Sequence, residues 1–273
     1  MRNHLNDIRK PLGKRGNMKE TTFDSQRIAE GYKDRPYLHK QVIEQFQKDI
    51  PKKQFRHGLD IGCGAGLSTK ALKQICDSVV GADVSPEMIS VAKKGCETNQ
   101  GYDFVVCKAE EISDLKDKFD IVTAAGMVQW VNQEAFLTNL NDIMTDDSYV
   151  LIYDFGISDQ MKDNLAYTIW WSHSYLKEFP KPFRNERVWT DQDVKKYGFS
   201  MINQVYLEME YEFDLESFIK FMLIQSNVND KIEGEGRCIE EVYKWFENTL
   251  IPIFNNTRQK LVFTGYSWYL VKN

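Results

Sequence analysis

The chain has 273 residues, 42% of them hydrophobic, which suits one large domain or one domain with an inserted lobe and excludes a globally disordered chain. With 35 basic against 40 acidic residues the net charge is −5, which argues against a general nucleic-acid binder, whose surface would be basic. Five scattered cysteines (Cys63, Cys76, Cys96, Cys107, Cys238) make no CxxC pair, so neither a metal site nor a disulfide framework is expected and a reducing, cytoplasmic setting fits; no apolar run of about 18 residues predicts a membrane span.

Residues 1–17 are polar, basic and glycine-containing, and predict a flexible leader without an apolar signal core; Met18 opens a stretch that would itself make a sensible start. A helix is expected over Thr22–Lys33, carrying Phe23, Ile28, Ala29 and Tyr32, and Pro36 ends it by disfavouring helix at the residue before. A second helix should run from about His39 to Asp49. Then comes a short apolar run ending at Asp60-Ile61, followed by Gly62, Gly64 and Gly66 at every second position. Leu67, Ala71, Leu72 and Ile75 follow at helical spacing, and Val79 to Asp83 reads as a second strand ending in an acid.

This strand, glycine turn, helix and strand suit a nucleotide-like ligand with a polar tail. Glycine lets the backbone approach a ligand closely and adopt positive φ. The helix start offers free N–H groups to an anion, and an acid about 20 residues on is placed to take both ribose hydroxyls. To this point NAD and S-adenosylmethionine fit equally. A dinucleotide fingerprint calls for a third glycine where Leu67 stands, and Asp60 ahead of the loop would repel a pyrophosphate but welcome an amino-acid ammonium, directly or through water.

After Asp83, Ser85 is a plausible N-cap with Pro86 at the first helical position. Tyr102–Cys107 and Phe119–Ala125 read as third and fourth strands, the latter nearly all apolar as a buried parallel strand should be. Glu134–Met144 is a helix and Tyr149–Phe155 a fifth strand. Residues 156–200 leave the compact pattern with Trp170, Trp171, His173, Tyr175, Phe179, Phe183 and Trp189, and Pro180 and Pro182 break any long helix after one expected near 160–177. Val205–Phe213 alternates as a sixth strand, Leu215–Ser226 and Ile239–Leu250 are helices, and Leu261–Val271 is a last strand, expected antiparallel to its neighbour. The expected division is a core over 18–155, helical lid segments over 156–200 and about 214–255, and strands over 201–213 and 256–273 completing the sheet.

LDIGCGAG followed by GADVSPEMI resembles the cofactor motifs of class I S-adenosylmethionine-dependent methyltransferases, and Gln129-Trp130 resembles the Gln/His-Trp pair of their type 11 small-molecule group. The resemblance implies an α/β, doubly wound, seven-stranded mostly parallel sheet with a reversed last strand, and an inserted helical lid. It implies cofactor contacts from Asp60, Gly62, Cys63, Gly64, Gly66, Asp83, Val84, Met88, Ala109, Glu110, Ala125 and Gly126. Lys108 replaces the usual first acid of the motif that reads the adenine amino group, so that contact rests on the backbone near Ala109 and on Glu110. By the same resemblance Tyr32 and Arg35 touch cofactor or substrate, against plain packing and a surface ion pair. Met88 and Trp130 each have ordinary core packing as the alternative.

A sulfonium methyl donor is already activated, so the protein must align the acceptor and exclude water; a general base is needed only for a protonated acceptor. His173 is the candidate base, against a packing role. Gln129, Trp130, Trp170 and Trp171 are candidate substrate contacts, against a small core of the lid's own. Arg184 and Arg187 would clamp an acid, or else sit in solvent. The expected function is methyl transfer to a small molecule, with a lean toward an anionic or carboxylate metabolite, by a monomer or homodimer with no nucleic-acid or membrane partner. The rivals are a cofactor-binding sensor or partner subunit, a macromolecule methyltransferase and an NAD-dependent oxidoreductase.

Overall fold

A computed structural model describes residues 25–96, 100–181 and 188–273. Two helices come first, α1 (Gln26–Tyr32) and α2 (His39–Asp49). Ser25 caps α1 through its hydroxyl, and α2 turns Val42, Ile43 and Phe46 onto the sheet. The central unit follows as β1 (Phe55–Ile61), α3 (Leu67–Leu72), β2 (Cys76–Asp83), α4 (Pro86–Cys96), β3 (Tyr102–Val106), β4 (Phe119–Ala125), α5 (Gln133–Ile143) and β5 (Met144–Met161). Short helices α6 (Leu165–Trp170), α7 (Leu176–Glu178) and α8 (Asp191–Lys195) lead to β6 (Phe199–Phe213). Helices α9 (Leu215–Leu223), α10 (Ser226–Asn229) and α11 (Ile239–Phe254) precede β7 (Gln259–Lys272).

The seven strands form one sheet in the order β3-β2-β1-β4-β5-β7-β6. The first five are parallel, and β7 is antiparallel to both β5 and β6. This is the doubly wound sheet with a reversed last strand that the sequence resemblance implied. The chain winds outward from β1 to β3, then returns to the other side of β1 with β4, so the β1/β4 seam is the switch point where open α/β sheets bind ligands at their carboxyl ends. Both faces are covered, which is why β4 is buried from Phe119 to Ala124 without alternation. One core lies between the sheet and α2, α3 and the later helices; the other lies under α5 and α8.

Three elements differ from the sequence expectations. β5 runs to Met161, six residues beyond Phe155, and β6 begins at Phe199 rather than Val205. Their outer halves pair with β7 into an antiparallel arm, against which Tyr167, Phe218, Phe246 and Phe254 are buried. The helix expected from 160 therefore starts at Leu165, capped by the Asn164 side chain on Ala166 N, and passes through a π-type turn at Trp171–Tyr175 before α7. The expected first helix is observed from Gln26; Thr22, Phe23 and the leader lie outside the described residues, as do Pro182, Phe183, Arg184 and Arg187.

Candidate functional site

The glycine loop is suspended from β2. The backbone N–H groups of Gly62 and Cys63 both donate to Ala82 O, at 2.8 and 3.1 Å. Gly62 and Gly64 hold φ of +68° and +51°, the left-handed region that only glycine adopts freely. Asp83 closes the loop from the other side, its Oδ2 accepting from Gly64 N at 2.8 Å and its Oδ1 from Ser85 N at 2.9 Å. An apolar residue at position 83 would thus lose both the loop's tether and the acceptor proposed by position for a ribose diol. Asp83→Ala is expected to weaken S-adenosylhomocysteine binding about 10–100-fold, the worth of one or two hydrogen bonds to a charged acceptor; calorimetric titration checks it, and unchanged affinity removes the ribose assignment.

Asp60 does not lie where the sequence placed it. It is fully buried, and three hydroxyls converge on it: Ser68 Oγ at 2.6 Å and Thr69 Oγ1 at 2.7 Å on Oδ2, and Thr123 Oγ1 at 2.7 Å on Oδ1. With these partners it braces β1, α3 and β4 from beneath the loop and is absent from the cavity wall. Burial pushes its carboxyl up to about 6, against the three hydroxyls that favour the charged form, with Asp83 adding to the rise. Cys63 is buried too, and burial drives its thiol well above the usual range. Neither Cys63 nor Gly66, which starts α3 at φ +87°, lines the cavity.

At the carboxyl edge of the sheet a cavity of about 500 Å³ opens across the β1/β4 seam. One half is walled by Tyr32, Gly62, Gly64, Asp83, Val84, Met88, Ala109, Glu110, Ala125 and Gly126, together with Gln129 and Trp130. These come from α1, from the start of α4 and from the ends of, or the segments just after, β1, β2, β3 and β4. Met88 is buried on α4, with Ser85 capping its N–H, and Val84 is exposed at the mouth. Glu110 already accepts from Asn132 N at 2.8 Å, tying the segment after β3 to the start of α5. Gln129 donates to Gly126 O and, at 3.3 Å, to Asp154 Oδ2, and its own Oε1 is buried without a partner.

The other half is walled by Arg35, His39, Tyr153, Phe155, Trp171, Tyr175, Lys181, Phe221 and Asn227. Arg35 lays its guanidinium over the Tyr32 ring at 4.5 Å and near the Phe221 ring at 5.8 Å, with no carboxylate partner among the described residues. Asn227 is spent internally, exchanging hydrogen bonds with Tyr175 and donating to Phe179 O. His39, which sequence reasoning read only as the start of a helix, faces this half with Nδ1 2.9 Å from Tyr153 Oη. Burial first, and the Arg35 cation second, push its imidazole down to about 3, so it is neutral throughout the physiological range. A histidine one turn past Arg35-Pro36, and a Tyr-Asp pair at the end of an otherwise apolar strand, were the signals available.

Two candidate substrate residues lie elsewhere. His173 is exposed, its Nδ1 beside Ser172 Oγ and Ile169 O on the outer face of the helical layer, away from the cavity. Trp170 packs into the layer's interior, stacked on Tyr175 and tilted against Trp245 and Phe246, while its neighbour Trp171 reaches the cavity. One residue of helical rotation separates the two tryptophans, which spacing alone does not resolve. Among the described residues no cluster of His, Cys, Asp and Glu could hold a metal ion, and no helix is long and apolar enough to cross a membrane.

Residues 59–152 match the family model described as a methyltransferase domain. Over 132 residues the chain is 28% identical to CRG1 of Saccharomyces cerevisiae, named as a probable S-adenosylmethionine-dependent methyltransferase; the match covers 44% of each chain. It is 36% identical over 104 residues to a ubiquinone biosynthesis O-methyltransferase of Pelagibacter ubique, covering 37% of this chain and 42% of that one. The chain thus spans less than half the length of these curated relatives. Among solved structures, a candidate type II methyltransferase from Anaeromyxobacter dehalogenans superposes with a TM-score of 0.63 at 17% identity, covering 85% of this chain and 95% of that one. At that identity the likeness speaks to the fold.

Proposed function

We propose, on the premise that this chain is a class I S-adenosylmethionine-dependent methyltransferase, that it transfers the methyl group to a small anionic acceptor. The observation that carries the reading is the single cavity whose two halves differ in chemistry. The glycine half fits the cofactor. A Cβ at Gly64 would point at Tyr32 Cδ1 and Met88 Sδ, both on the cavity wall, so the missing side chain leaves a cradle there. Asp83 offers carboxylate oxygens to a diol, Met88 an apolar, polarizable surface to a purine, and the backbone near Ala109 a polar edge. Bound there, the cofactor supplies a methyl group already activated on a sulfonium.

The rest falls to the chain's own residues. The aromatic side chains of the second half exclude water, and holding the acceptor in line supplies roughly 7–11 kcal/mol of the barrier. Arg35, half-buried over the Tyr32 ring and near that of Phe221, without a carboxylate partner among the described residues, favours an acid: a guanidinium so placed gains most from a carboxylate it can grip bidentately. A carboxylate acceptor needs no general base, in keeping with the remoteness of His173 from the cavity. The helices after β5 act as the lid in this reading, and the enzyme works on free metabolites in the cytoplasm.

The test is titration with S-adenosylmethionine, S-adenosylhomocysteine and NAD, followed by labelled methyl transfer to a panel of small carboxylic acids and of amines. Selective micromolar binding of the first two and transfer to acids is expected. Binding of NAD alone, or transfer to amines only, overturns the proposal. Arg35→Gln should lower transfer to acids about 10–100-fold, the worth of a charged hydrogen bond; an equal rate in the variant removes Arg35 from acceptor recognition.

A further inference from the structure

We infer that His39 is a fixed hydrogen-bond donor to an oxygen of the methyl acceptor, held in one tautomer by the buried hydroxyl of Tyr153 and working beside Arg35. The inference rests on the second half of the cavity being the acceptor chamber. His39 is the first residue of α2 and is half-buried on the chamber wall. Its ring is fixed edge-on to Tyr153 and tilted to Phe155, with centroids 5.7 and 5.0 Å away.

The tautomer follows from what the hydroxyl must do with its proton. Tyr153 is 1% exposed, and burial raises its phenol well above the usual range, so the proton stays on the oxygen. Among the described residues its hydrogen-bond partner is His39 Nδ1, at 2.9 Å. A buried donor left unmade costs far more than an unused lone pair. The hydroxyl therefore donates and Nδ1 accepts. A neutral imidazole that accepts at Nδ1 carries its proton on Nε2. Nε2 has no partner among the described residues.

The electrostatics keep the ring in this state. Burial and the adjacent Arg35 cation both disfavour a second proton, and Arg35 is the charged group that acts on the imidazole. A ring so reluctant to gain a proton is a poor general base but a stable N–H donor. With the guanidinium it presents two donors to one ligand oxygen or one carboxylate, over the aromatic surface of Trp171 and Phe221. His39 is thus a recognition and positioning residue, the reverse of the role the sequence suggested for His173.

Side-chain nitrogen NMR on the protein saturated with S-adenosylhomocysteine tests this directly. His39 should be neutral with its proton on Nε2 from about pH 5.5 to about pH 8, and Tyr153→Phe should release a mixture of tautomers. Acetate, benzoate or citrate should move the Nε2 signal. His39→Ala should weaken the tightest of the three about 10–100-fold, and His39→Gln, whose amide can place an N–H near the Nε2 position, should recover most of it. The inference is overturned by an Nδ1–H tautomer, by an imidazolium at neutral pH, by no response to any of the three acids, or by His39→Gln binding as poorly as His39→Ala. It is also overturned if His39→Ala weakens S-adenosylhomocysteine in step, because the donor then serves the cofactor. A protein that binds neither cofactor form sinks the proposed function instead, and the ligand-free spectrum still reads the His39–Tyr153 pair.

Discussion

Gly64→Val should abolish measurable binding of S-adenosylhomocysteine while leaving a folded protein. Gly64 sits at φ +51°, where a β-branched residue is strained by roughly 1–3 kcal/mol. Strain of that size is a small part of a domain's stability if the loop relaxes, but the direction of the side chain matters more. A Cβ at this position would lie 3.8 Å from Tyr32 Cδ1 and 4.0 Å from Met88 Sδ, with no backbone nearer. The isopropyl group would therefore occupy the cavity itself, between the two side chains that wall the cofactor half. It would also disturb the Gly64 N–H that Asp83 Oδ2 accepts, and with it the placement of the carboxylate. Loss of more than about 100-fold in affinity is expected when a tight backbone approach is blocked and a charged contact displaced together. Calorimetry with a circular dichroism control decides it. Normal affinity in a folded variant would mean that the loop does not approach the ligand at all.

That loop was legible because its signals are local. Glycine spacing, the apolar strand ends and Asp83 all fall within 27 residues, His57 to Asp83, and each follows from backbone geometry that the sequence writes directly. The sheet order followed from resemblance to a family rather than from pattern. What was not legible depends on partners far away in the chain. β5 extends through the stretch 157–161 because β7, about 100 residues later, pairs with it; nothing local in ISDQM marks a strand. The Asp60 carboxylate looked available because it stands beside the glycines, yet Thr123, 63 residues on, and the first turn of α3 enclose it. A strand buried on both faces gives no alternation from which to read which way a polar side chain points. His39 and Tyr153 are 114 residues apart, and each alone looks like a helix start and a core tyrosine. His173 shows the converse: aromatic density along 165–179 drew attention to it, but the helix turns Trp171 and Tyr175 inward and leaves His173 on the outside.

Asp60→Ala is expected to cost about 3–5 kcal/mol of stability, because it strands three buried hydroxyl donors at once and opens a small void beneath the loop. For a domain of this size that is a fall in Tm of roughly 10 °C. Asp60→Asn should cost less, since the hydroxyls can rotate and accept from the amide. The pair of variants also separates charge from shape. The carboxyl is pushed from 3.8 up to about 6 by burial, so the folded state holds this proton more tightly than the unfolded chain. The stability contributed by that proton is fully present below about pH 4 and is lost as pH rises through about 6, an effect of at most about 3 kcal/mol. Denaturation of the wild type and of Asp60→Asn at several pH values should therefore show their difference shifting in favour of the variant across that window and flat above it. A difference flat throughout would mean that the three hydroxyls hold the carboxyl at its ordinary value. In either case the carboxylate is mostly ionised at neutral pH. It lies within the protein rather than on the cavity wall, so any preference it gives the site for a cationic ligand acts through its field under the glycine loop, not by contact.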